Sequence, residues 1–76
     1  MSSDKSNIVI GIYNSAINKR GMPPQEAFEV LVKRMHSMKV TAGELQGMLG
    51  RKSSDMVDFN KGWIGQVGSI YQSLEK

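Results

Sequence analysis

Residues 24–38, PQEAFEVLVKRMHSM, decide the fold class of this chain. Phe28, Leu31, Val32 and Met35 recur three or four residues apart, the spacing that gathers them into one buried stripe on an α-helix. Pro23 and Pro24 set its start, because a first helical turn has no use for the N–H that proline lacks. Glu26 and Glu29 lie toward the positive end of the helix dipole, and Lys33, Arg34 and His36 toward the negative end. Apolar period, start signal and charge placement agree on a helix over 24–38.

Working outward toward the N-terminus, Ile8, Val9, Ile12, Tyr13, Ala16 and Ile17 also recur at helical spacing. Lys19 and Arg20 suit the C-terminal dipole, and Gly21 suits the left-handed position that ends a helix. The expectation is a helix over 5–19 after a frayed start at 1–5. A strand over 8–12 is the alternative, since four β-branched residues stand close together, although nothing else in the chain offers it a partner.

Toward the C-terminus, Thr41 and Glu44 have capping-box spacing: the hydroxyl accepts from the Glu44 N–H while the carboxylate returns to the Thr41 N–H. Leu45, Met48 and Leu49 give the helix that follows an apolar face, and Gly50 is its expected end. Gly43 and Gly47 each cost about 1 kcal/mol relative to alanine, so tertiary packing must hold this short helix. Ser53 or Ser54 is placed to cap a fourth segment, with Asp55 in its first turn and Met56 and Phe59 apolar. Beyond it, Trp63, Val67, Ile70 and Leu74 form a stripe flanked by Ile64 and Tyr71. Two readings of this region stand. One is a long helix over 54–74 with a seven-residue repeat at Met56, Trp63 and Ile70 that suits a pairing seam; the other, favoured by Gly62, is two helices broken there.

Composition bounds the function. At 76 residues the chain holds one domain and one core, because domains run to about 100–200 residues. With no cysteine there is no disulfide framework, thiolate nucleophile or zinc knuckle, and a single histidine, His36, cannot build a metal site alone. No apolar run approaches the roughly 18 residues of a membrane span, and the polar N-terminus is unlike a signal peptide, so a cytoplasmic protein is expected. No Ser/His/Asp set converges and no phosphate-binding glycine loop follows a strand, so neither an enzyme nor a cofactor is expected. The expected fold is all-α: a compact bundle of four or five short helices around Ile12, Ile17, Phe28, Leu31, Met35, Leu45, Leu49, Phe59, Trp63, Val67 and Ile70. The net charge of +3 permits nucleic-acid contact, but the cations are dispersed and form no polybasic arm.

Leu31, Val40, Thr41, Glu44, Leu45, Leu49, Gly50, Phe59 and Gly62 stand in an order that resembles the helix-turn-helix of phage-repressor (Cro/Xre-like) DNA-binding domains, over residues 31–62. The resemblance implies a positioning helix at 41–49, a turn at 50–52 and a recognition helix at 53–61 lying in the major groove of double-stranded DNA. Arg51, Lys52 and Lys61 would then sit on phosphates, Ser53, Ser54 and Asn60 would reach base edges, and Thr41 would offer a helix N-terminus to a phosphate. The pattern departs from the family at Gln46, where alanine is usual, and at Lys52, where serine or threonine is usual. Asp55 and Asp58 place two carboxylates on the proposed reading helix.

The composition also fits a second function, a protein-interaction module that acts as an inhibitor or adaptor by docking a helical face on a larger protein. Trp63, Val67, Ile70, Tyr71 and Leu74 are the expected contact residues, and the same stripe would serve a homodimer. Of the methionines, Met35, Met48 and Met56 suit the core, while Met22 and Met38 stand at helix ends and suit the surface.

Overall fold

The computed structural model describes residues 5–76. The expected frayed start therefore lies, except for Lys5, outside the described residues. Among them are four α-helices: α1 (Ser6–Asn18), α2 (Pro24–Ser37), α3 (Ala42–Lys52) and α4 (Val67–Leu74). Two 3-10 stretches, Ser53–Asp55 and Lys61–Gln66, lie between α3 and α4. The fold is all-α, and residues 8–12 are helical rather than extended. No described helix is long and apolar enough to cross a membrane.

Each early helix ends as its local chemistry dictates. Gly21 takes the left-handed conformation (φ +68°), and the N–H groups of Gly21 and Met22 return to the carbonyls of Ile17 and Ala16. The short connection folds α2 back along α1 as a helical hairpin. At the end of α2 the same left-handed position is occupied by Lys39 (φ +65°), and the Val40 N–H bonds the Met35 carbonyl at 3.1 Å. A side chain there costs about 1–2 kcal/mol that glycine would not. The burial of Val40 at this turn is what the strained residue secures.

The capping box at Thr41 is present in full. The Glu44 N–H donates to Thr41 Oγ1 at 3.1 Å, and Glu44 Oε1 accepts from the Thr41 N–H at 3.0 Å and from its hydroxyl at 3.1 Å. These donors hold the Glu44 carboxyl below the ordinary glutamate range. The helix they open does not end at Gly50. Gly50 lacks a positive φ, and α3 runs on through Arg51 and Lys52, two cations at its negative end.

The core is assembled from all four helices. Phe28, Leu31, Met35, Leu45, Leu49 and Val67 are buried as expected, and so are Met48 and Met56. On α1 the phase differs from the expected one: Val9, Tyr13 and Ala16 face inward, while Ile12 and Ile17 lie at the core margin. The apolar residues of this helix span more than half of its circumference, so period alone leaves its facing open. Tyr13 settles it, because its ring meets Phe59 edge-on (5.7 Å between centroids) and its hydroxyl donates to the Val57 carbonyl at 2.6 Å. Phe28, Phe59 and Trp63 complete an aromatic cluster, with Trp63 stacked on Phe28 at 5.5 Å and meeting Phe59 edge-on at 5.4 Å.

Candidate functional site

The segment expected to be a recognition helix is not an α-helix. Residues 53–55 make one 3-10 turn, Asp58 adopts a left-handed φ of +51°, and helical geometry resumes only at Lys61. The physical reason lies on α1. Asn14 Nδ2 donates to the Asp55 carbonyl at 2.9 Å, and the Val57 N–H donates to Asn14 Oδ1 at 3.0 Å. With the bond from Tyr13, three side-chain hydrogen bonds satisfy backbone groups of residues 55–57 that a helix would have used internally. Met56 and Phe59 pack into or against the core from this irregular loop.

The residues expected to contact DNA stand in differing local settings. Thr41 is occupied in its capping box, and Asn60 Oδ1 accepts from the Gly62 N–H at 2.8 Å to cap the second 3-10 stretch. Ser53 is buried at the end of α3; Ser54, Arg51 and Lys61 are exposed, and Lys52 is half-buried. Arg51 lines one groove with Lys5, Gly43 and Gly47, whereas Arg34 lines another with Arg20. Arg34 of α2 and Arg51 of α3 thus line separate grooves.

The expected partner-binding stripe packs largely inward. Val67 and Tyr71 are buried, and Trp63, Ile70 and Leu74 are half-buried. Tyr71 fixes α4 in place by donating to the Val40 carbonyl at 2.6 Å, and His36 meets its ring edge-on at 4.9 Å. His36 Nε2 also lies 3.3 Å from Glu75 Oε2, tying the end of α2 to the end of the chain. Burial raises the Tyr71 hydroxyl pKa, with the Glu44 and Glu75 charges adding to it. Burial likewise pushes Tyr13 up to about 12, assisted by Asp58.

The large hydrophobic side chains left exposed among the described residues are Ile8 on α1, Met38 at the end of α2 and Val57 in the loop after α3. The 13 residues of α1, SNIVIGIYNSAIN, include no charged side chain. Val9, Tyr13 and Ala16 face the core, so the opposite side presents Asn7, Ile8, Gly11 and Ser15, with Ile12 half-exposed beside them. Ile8 is 42% exposed, the largest value among the big hydrophobic side chains described. A methyl group added at Gly11 would meet nothing within 4 Å, so the fold itself does not demand glycine there. Between α1 and α2 this face opens into a groove of about 300 Å³ lined by Gly11, Ile12, Ser15, Ala16, Arg20, Val30 and Arg34.

Sequence reasoning missed this face because α1 reads as core on periodicity alone. The signal available was the absence of charge: a helix on the surface of a small domain ordinarily carries a charged outer side. Among the described residues no group of three or more His, Asp or Glu is placed to hold a metal ion. No family model, no curated protein and no solved structure matches the chain.

Proposed function

We propose that this chain is a cytoplasmic protein-interaction module that docks the uncharged outer face of α1 on another protein. One observation carries the reading: a 13-residue surface helix with no charged side chain leaves Ile8 42% exposed beside Gly11 and Ile12. The centres of protein interfaces are depleted in charge, because an unpaired charge there must be desolvated at a cost of several kcal/mol. The DNA-binding alternative has less support, since residues 53–61 do not form the helix that would enter the major groove.

The reading is tested by placing a photo-crosslinking amino acid at Gly11 or, for comparison, at Ser54, both exposed, in cells that produce the chain. The expected result is a discrete protein adduct from position 11, none from position 54, and loss of the adduct when Ile8→Lys is added. Adducts of equal yield from both positions refute it. So does steeply salt-dependent binding to random duplex DNA that Lys52→Ala and Lys61→Ala weaken and Ile8→Lys does not, which is the behaviour of a phosphate-binding surface.

A further inference from the structure

We infer that the partner element is an acidic amphipathic helix, laid in the groove between α1 and α2; this rests on the docking reading above and adds the partner's chemistry. The groove has an apolar floor from Ile12, Ala16 and Val30, and its charged lining residues are both arginines. No carboxylate lines it, and neither Arg20 nor Arg34 is ion-paired among the described residues. Two exposed, unneutralised guanidinium groups at an apolar groove select a partner that brings carboxylates to them.

The spacing of the arginines specifies the partner further. Arg20 stands at the hairpin end of the groove, next to the loop that leads to Pro24, and Arg34 lies in the last turn of α2. The ten residues from Pro24 to Arg34 rise about 1.5 Å each, so the backbone of Arg34 stands about 15 Å along α2 from the helix start that follows the Arg20 turn. On a partner helix that distance is three turns, which places two carboxylates at positions i and i+11 with apolar residues at i+4 and i+7 between them. The uncharged side of α1, with Gly11 at its middle, lets a third helix approach the pair closely. A second copy docked through its own α1 is the poorer occupant, because that helix brings no carboxylate to either arginine.

The experiment titrates the ¹⁵N-labelled full chain with three synthetic helical peptides of 18 residues. Each has leucines at i+4 and i+7, and either Glu, Gln or Lys at both i and i+11. The expected result is that the Glu peptide moves the amides of Ile8, Gly11, Ile12 and Val30, and binds more tightly than the Gln peptide. Each of Arg20→Glu and Arg34→Glu should weaken it by up to about fivefold, the upper scale of one exposed ion pair, and the double variant should prefer the Lys peptide. Both arginines are exposed, so these variants keep the fold, and the dispersion of the amide spectrum verifies it. Binding of the Gln or Lys peptide to the same amides as tightly as the Glu peptide overturns the acidic assignment and leaves the docking face standing. Failure of every peptide to move these amides overturns the helical occupant, and the crosslink at position 11 then decides the docking face separately. Concentration-dependent dimerisation abolished by Ile8→Lys shows that a second copy covers the face and likewise overturns the proposal.

Discussion

Replacing Asn14 by alanine removes the clamp that keeps residues 55–57 out of a helix. The side chain donates to the Asp55 carbonyl at 2.9 Å and accepts from the Val57 N–H at 3.0 Å. A net hydrogen bond contributes about 0.5–1.5 kcal/mol, and these two lie in an exposed setting, where water can take over both backbone groups, so the lower half of that range applies to each. Alanine recovers about 0.5 kcal/mol as the better helix former inside α1. The expected loss is therefore about 1 kcal/mol, read as a fall in the urea midpoint of about 1 M at the m-value of a small domain, or about 4–8 °C in Tm. Hydrogen exchange gives the local readout: the Val57 amide should lose its protection while the Leu45 amide, inside α3, keeps its own. Tyr13→Phe removes the third bond to the same loop, so the double variant should show coupling between the two sites. An unchanged midpoint together with an unchanged Val57 amide would refute the claim that α1 determines the loop's conformation.

Five other outcomes are expected. Thr41→Ala should lower stability by about 1 kcal/mol in urea melts; the wild-type box should also weaken in acid, since the lowered Glu44 pKa makes its contribution complete at neutral pH and lost as pH falls below the ordinary glutamate range. Lys39→Gly should raise stability by up to about 1 kcal/mol by relieving the left-handed φ of +65°, and a lower Tm would count against that strain. In alkaline titration, Tyr13 ionises at about 12 in the folded chain against 10.0 unperturbed, so its contribution is whole below pH 10 and drains away as pH rises toward 12; absorbance at 295 nm and circular dichroism should change together there. Phe28→Ala should cost about 3–5 kcal/mol and shift Trp63 emission to the red, because the indole loses the ring it stacks on at 5.5 Å.

Local chemistry alone determined much of this protein. The stripe and dipole-matched charges of α2, the turn at Gly21 and the Thr41–Glu44 box are short-range features, each set by residues within about one turn of one another, so they are legible in order along the chain. Tertiary contacts decided the rest. Residues 53–61 carry plausible helix signals, yet their backbone partners are Tyr13 and Asn14, more than 40 residues away, and no local rule weighs such bonds against a helix. The same contacts fixed the rotation of α1 by drawing Tyr13 inward, and that rotation left Ile8 and Gly11 facing outward as the candidate docking surface. A helix with so broad an apolar arc gains almost as much by burying one part of the arc as another, so its facing is chosen by whichever specific long-range bonds the assembled core can complete.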